Sequence, residues 1–284
     1  MAHDATHRAV RWAATRLGYE VLWPSYYNGL PRFDELPPRY WERRSQMPGV
    51  DLDEARALDY LRSELSQHLA EFAPRNVPAG PGRYHEPNAS FEGADSALTW
   101  AIVRRHRPRR VLELGSGFST LLIRDALAAN GDGTSHVVVD PFPRSDDLGD
   151  DRHFDLRRVS ASELPIHEFE QLEANDILFV DTTHTVKVGS EVNHIALEGL
   201  PRLASGVLVH FHDIFLPYEY PRRLVEGLGY HWAEQYLLQA FLAFNERFQV
   251  LVPVHALTRE HSAELAQLVT PCDTEASSLW LRRR

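Results

Sequence analysis

Two groups of residues in this 284-residue chain have the types and spacing to do chemistry. The first is Glu113-Leu114-Gly115-Ser116-Gly117, followed 25 positions after Gly115 by Asp140. Paired glycines let a backbone turn tightly and leave room for a ligand against the main chain. A carboxylate beyond such a turn can accept both hydroxyls of a ribose. The second group is Asp181, His184, His212 and Asp213. Imidazole and carboxylate together are donors for a divalent metal, and equally the parts of a histidine base steered by an acid.

A glycine turn with a distal acid serves two cofactor classes, and two details separate them. A dinucleotide wants a third glycine where the helix begins, so that its pyrophosphate can sit on the helix N-terminus. Here that place is Phe118-Ser119-Thr120. Glu113, just ahead of the glycines, is a poor neighbour for pyrophosphate but suits a cationic ligand. S-Adenosylmethionine carries a sulfonium and an ammonium, so these residues favour it over a nicotinamide dinucleotide.

The segment Val111 to Thr120 resembles motif I of class I S-adenosylmethionine-dependent methyltransferases. Phe179-Val180-Asp181-Thr182-Thr183-His184, with Leu200 to Ile214 after it, is similar to the "D-x-x-H … L-x-x-G-G-x-x-x-x-H-D" pattern of small bacterial members, and Glu234 to Leu242 also looks family-like. The resemblance covers roughly 85–254, and its one departure is Ser205-Gly206 in place of Gly-Gly. It implies methyl transfer, with Glu113, Gly115, Ser116, Gly117, Asp140 and Asp181 holding the cofactor. Ser162 or Glu163 would lie near the adenine.

Two readings compete for the second group. In one, Asp181, His212 and Asp213 bind a divalent metal that orients an acceptor hydroxyl and lowers its pKa, similar to catechol O-methyltransferase-like enzymes. His184 then stands where those enzymes carry a lysine base, or joins as a ligand. Mixed nitrogen and oxygen donors suit Mn, Fe, Co or Zn better than Mg. In the other reading there is no metal, and His184 or His212 is the general base, oriented by Asp181 or Asp213. His210, deeper along its strand, reads as a hydrogen-bonded structural histidine. Aromatic segments at 84–91, 215–221 and 230–234 could enclose a flat or partly apolar small molecule. Phe91, Tyr218, Trp232 and Glu234 are the expected acceptor contacts, and the acceptor a hydroxyl of a secondary metabolite or sugar.

The elements that must position these residues alternate in type from about 96 onward. Short apolar strands at Arg110–Leu114, His136–Asp140, Asp155–Val159, Asp176–Asp181, Gly206–His212 and Phe248–Val254 are separated by helical patterns. Near-continuous apolar strands between helices indicate a parallel sheet covered on both faces. The expected fold is therefore α/β, a doubly wound, mostly parallel, seven-stranded Rossmann-like sheet over 81–284. Residues 1–80 read as a helical extension, with helical spacing over His7–Leu17 and Asp53–Phe72 and a Pro/Gly linker at 74–81. That extension is expected to cover the acceptor site and could mediate a homodimer.

Composition narrows the partners. A formal net charge of −10 disfavours nucleic acid, and the run Arg104 to Arg110 reads as a solvated helix end. No stretch approaches the roughly 20 apolar residues that span a bilayer, and the N-terminus lacks a signal-peptide pattern. The single cysteine, Cys272, fits a reducing compartment, so a cytoplasmic location is expected. An oxidoreductase would want a Tyr–Lys pair, and Lys187, the sole lysine, has no such tyrosine. A non-catalytic adenosylmethionine binder would lack the polar residues of the second group.

Overall fold

A computed structural model describes residues 4–21, 29–74, 76, 80, 82–131, 133–143, 148, 153–270 and 275–284. Pro78 and Pro81 of the expected linker and Cys272 lie outside these. The chain falls into two compact units, Met1–Pro38 and Arg39–Arg284. The first contains α1 (Asp4–Arg16), on which the Arg16 guanidinium lies 4.0 Å from the centre of the Trp12 ring.

The second unit is built on one seven-stranded sheet, ordered β3-β2-β1-β4-β5-β7-β6. The strands are β1 (Arg110–Leu114), β2 (Ser135–Val139), β3 (Asp155–Arg157), β4 (Ile177–Val180), β5 (Leu208–Phe211), β6 (Phe248–Pro253) and β7 (Leu279–Arg283). β7 runs antiparallel to both β5 and β6, and the remaining pairs are parallel. Six strands stand within two residues of their expected places. The seventh had no position in the sequence reading, because Ser277–Arg284 ends in arginines and carries little apolar signal.

Side-chain alternation sorts the strands between two cores. Val111, Ile177, Phe179, Leu208 and Trp280 face one side, packed with Leu61, Leu65, Leu98, Ile102 and Leu121. Leu112, Leu114, Leu178, Val180, Val209 and Leu281 face the other. Both faces are covered, as a parallel sheet requires. The helices α2 (Glu54–Tyr60) and α3 (Ser66–Glu71), joined by a wider turn at Leu61–Leu65, bury Leu61 and Leu65 against α4 (Gly93–His106). Their apolar face belongs to the sheet unit, so the compact unit begins at Arg39 rather than near 81. Asp53 caps α2 by accepting from the Arg56 amide at 2.9 Å.

The basic run at the end of α4 is paired. Arg104 meets Glu71 at 3.3 Å, and Arg105 meets Glu64. Among the described residues, no helix is long and apolar enough to cross a membrane.

Candidate active site

In parallel α/β sheets the carboxyl ends of the strands form the ligand edge, and there β1, β2, β4 and β5 are tied together. The Asp181 amide donates to the Leu114 carbonyl at 2.8 Å, the Gly115 amide to Val139 at 2.9 Å, and the His212 amide to Val180 at 2.9 Å. Gly115 turns with φ +96°. A Cβ placed there would stand 1.8 Å from the Asp181 carbonyl oxygen, so only glycine lets β1 and β4 approach this closely.

Gly117, which opens α5 (Phe118–Asn130), is different, with open space where a Cβ would project. Between the glycines, the Ser116 hydroxyl donates to Asp140 Oδ2 at 2.5 Å, while the Phe142 amide donates to Oδ1 at 2.7 Å. Ser116, Gly117 and Asp140 thus form one half-buried polar edge at the ends of β1 and β2. Ser162 lies in the turn after β3, its hydroxyl 2.8 Å from that of Ser160.

Glu113 departs from the expected cofactor contact. It is 0% exposed, on the face shared by Val111 and Phe179. Its Oε1 accepts from Ser119 at 2.8 Å and Thr120 at 3.0 Å, and its Oε2 lies 2.8 Å from His136 Nε2. Alternation along β1 points it into the layer beneath α5, where it joins the glycine turn to β2. It positions the turn and does not reach the ligand edge.

The ends of β4 and β5 bring Asp181, His184 and Asp213 together, each offering a ligand atom within 4.8 Å of the others. His184 is 3% exposed. Its Nε2 stands 3.4 Å from Asp181 Oδ1 and 3.6 Å from Asp213 Oδ2, and its Nδ1 stands 2.8 Å from Glu234 Oε2. Burial opposes charge on the ring, but Asp181 and Glu234 raise His184 well above the usual histidine range. Burial would also raise Asp181, yet His212 and His184 hold it down to about 2. The imidazole is thus enclosed by three carboxylates, one on Nδ1 and two facing Nε2.

His212 stands beside this trio rather than in it. Its ring packs 5.1 Å from Phe91 and 5.8 Å from His210, in an aromatic stack on the sheet face, and its buried Nδ1 has no hydrogen-bond partner among the described residues. Against the effect of burial, Asp181 and Asp213 raise its pKa. His210 sits in a cross-strand row with Phe179 and Trp280 and stacks 3.9 Å from the Phe179 ring. Among the described residues neither of its ring nitrogens has a partner, contrary to the expected hydrogen bond, and burial lowers its pKa.

A cavity of about 650 Å³ opens beside the trio, and Asp181, His212, Asp213, Tyr230 and Trp232 line it. Tyr230 and Trp232 stack at 4.9 Å and present a flat wall. Of the expected acceptor contacts, only Trp232 lines this space. Phe91 is 3% exposed and packs beneath it against Phe179 and His212. Tyr218 is held elsewhere, its hydroxyl donating to Glu260 at 2.8 Å and its ring under Arg259 at 4.1 Å. Glu234 is buried and spends its carboxylate on His184.

Sequence reasoning missed Glu92, Asp95, Arg223 and Glu275, which also line the cavity. Asp95 accepts from the Ser277 amide at 2.9 Å and from the Ser278 hydroxyl. Its only local signal was an acid in the first turn of α4, which is ordinary for a helix start. The 277–278 segment reaches the cavity because β7 inserts beside β5, and no local pattern announces that.

Residues 112–214 match the family model described as a methyltransferase domain. An uncharacterised protein of Archaeoglobus fulgidus is 26% identical over 164 residues, covering 54% of this chain and 73% of its own. Among solved structures, the S-adenosylhomocysteine-bound Podospora anserina methyltransferase PaMTH1 is 17% identical, with a TM-score of 0.43, over 80% of this chain and 88% of its own. The cmcI-D160 structure with Mg and S-adenosylmethionine is 16% identical, with a TM-score of 0.44, over 95% of this chain and 99% of its own. The segment that matches the methyltransferase-domain model holds the glycine turn, Asp140 and the Asp181–His184–Asp213 cluster.

Proposed function

We propose that the chain is an S-adenosylmethionine-dependent methyltransferase that methylates a hydroxyl of a small acceptor, with a divalent metal held by Asp181, His184 and Asp213. The observation that carries this reading is the juxtaposition, on neighbouring strand ends of a segment that matches a methyltransferase-domain model, of an open glycine turn with its acid and a His–carboxylate donor set whose two carboxylates line a cavity. The donor chemistry fits both groups. Asp140 is already oriented by Ser116 and the Phe142 amide to accept from a ribose, and Gly117 leaves its side of the turn clear. His184 has one ring nitrogen engaged by Glu234 and the other turned to two carboxylates.

When bound, the cofactor supplies an electrophilic methyl group, and the metal supplies a Lewis acid that lowers the pKa of a nearby hydroxyl. The chain's own contribution is orientation and exclusion of water. Tyr230 and Trp232 give the acceptor a flat surface, and Asp181 and Asp213 stand at its reacting end. The cavity wall is acidic through Glu92, Asp95 and Glu275, and its arginine, Arg223, is 2.7 Å from Glu275. Such a wall favours a neutral or cationic acceptor over a phosphorylated or carboxylated one.

Calorimetry with S-adenosylhomocysteine, with and without chelator, tests the cofactor. Transfer of labelled methyl to a panel of neutral, cationic and anionic hydroxyl compounds then tests the acceptor class. Absence of S-adenosylhomocysteine binding in both conditions overturns the proposal. Turnover that survives chelation favours a metal-free route in which His212, on the cavity wall, takes the proton.

A further inference from the structure

The carboxylate of Glu234 is the one charged group of the cluster that neither lines the cavity nor belongs to the three candidate donors. It is 3% exposed, at the first residue of the helix Glu234–Leu242, and its Oε2 is 2.8 Å from His184 Nδ1. An ionised carboxylate can only accept a hydrogen bond. A neutral His184 paired with it must therefore carry its proton on Nδ1, which leaves the Nε2 lone pair directed at Asp181 and Asp213.

The Nε2 separations of 3.4 and 3.6 Å are longer than charge-assisted hydrogen bonds. They match two donors sharing one ion, since ligands about 2.1 Å from a tetrahedral metal stand about 3.4 Å apart. The backbone reinforces the arrangement. His184 adopts φ +56°, and its carbonyl accepts from the amides of Ala233 at 2.8 Å and Glu234 at 3.1 Å. Trp232 packs its ring 4.8 Å from the imidazole. The segment 232–234 therefore grips His184 by its carbonyl, its ring and its Nδ1 at once.

We propose that Glu234 is the positioning residue that makes His184 a metal ligand through Nε2, and that the 232–234 segment couples this ligand to the acceptor wall formed by Trp232. The proposal rests on the metal reading above. Carboxylates that orient a metal-bound histidine in this way typically contribute 10–100-fold to metal affinity.

The test is titration of the full-length protein with Mn²⁺ in the presence of S-adenosylhomocysteine, with free Mn²⁺ followed by electron paramagnetic resonance. Wild type is compared with Glu234→Gln and Glu234→Ala. The expected result is Mn²⁺ affinity about tenfold weaker in Glu234→Gln, which keeps an acceptor oxygen, and approaching 100-fold weaker in Glu234→Ala. Affinity for S-adenosylhomocysteine, measured calorimetrically on the same samples, stays unchanged. No Mn²⁺ binding by wild type overturns the metal reading itself. Wild-type binding with equal affinity in both variants overturns the role of Glu234 and leaves the metal reading intact. A parallel loss of S-adenosylhomocysteine affinity also overturns that role, because Glu234 would then be holding the fold rather than one ligand.

Discussion

Gly115 and Gly117 lie two residues apart in one turn, and their surroundings differ. In Gly115→Ala the new methyl would meet the Asp181 carbonyl oxygen at 1.8 Å, where 3.0 Å is about the closest a real Cβ comes, so something must move by more than 1 Å. The obstacle is backbone, and the Asp181 amide is itself bonded to Leu114 at 2.8 Å, so no flexible side chain can absorb the shift. Overpacking of a core costs about 1–3 kcal/mol, and forcing a side chain into positive φ adds about 1 kcal/mol. A destabilisation of about 3 kcal/mol follows. For a chain of this size that lowers Tm by roughly 6–12 °C.

Gly117→Ala meets nothing within 4 Å, so its stability should stay within about 0.5 kcal/mol of wild type. Its methyl would instead occupy the side of the turn left clear for the cofactor, and S-adenosylhomocysteine affinity should fall at least about tenfold, a loss of roughly 1.4 kcal/mol. Thermal melting by circular dichroism, paired with calorimetry, reads both effects. A Gly115→Ala protein melting within about 2 °C of wild type refutes the steric reasoning. Undiminished ligand affinity in Gly117→Ala refutes the placement of the cofactor.

Glu113→Gln should cost about 1–3 kcal/mol in urea denaturation, because it weakens a fully buried acceptor of Ser119, Thr120 and His136. S-Adenosylhomocysteine affinity should remain as in wild type; a selective loss of affinity would restore Glu113 as a direct contact. Asp140→Asn should do the reverse, with stability kept and S-adenosylhomocysteine bound about tenfold or more weakly, as seen by calorimetry. Equal affinity would remove Asp140 from the ribose site. His255, buried with its Nδ1 on the Ala276 carbonyl at 2.8 Å, has its pKa lowered by burial from 6.5 to about 4. Between those values the unfolded chain binds a proton that the folded chain refuses, so His255 costs stability as pH falls through this window, about 2 kcal/mol at pH 5. His255→Gln should lose that part of the slope between pH 7.5 and 5 in urea midpoints, and an identical slope in the two proteins would count against it.

What could be read from residue order is what depends on local pattern. Short strands of three to six residues, most of them apolar, alternating with helices disclosed the parallel sheet, since both faces of such strands must be covered. The glycine turn was legible because its function lies in backbone freedom, and the acids and histidines at strand ends because the carboxyl edge of such a sheet is where ligands bind.

The direction in which each of these side chains points was not legible. Glu113 sits one strand position before Leu114, and sheet alternation sends it under α5, where it is fully buried. Nothing in the order of residues showed that Glu234, 50 residues further on, meets His184 Nδ1 while two carboxylates face its Nε2. Tyr218 looked like a pocket residue until Arg259 and Glu260 were found to hold it. Asp95 and Ser277 meet at the cavity across 182 residues because β7 inserts between β5 and β6. Sequence pattern determined the sheet, the turn and the inventory of reactive groups. Tertiary structure alone decided which of those groups face one another, because hydrogen bonds and charge pairing act over a few ångströms in space and carry no trace of separation along the chain.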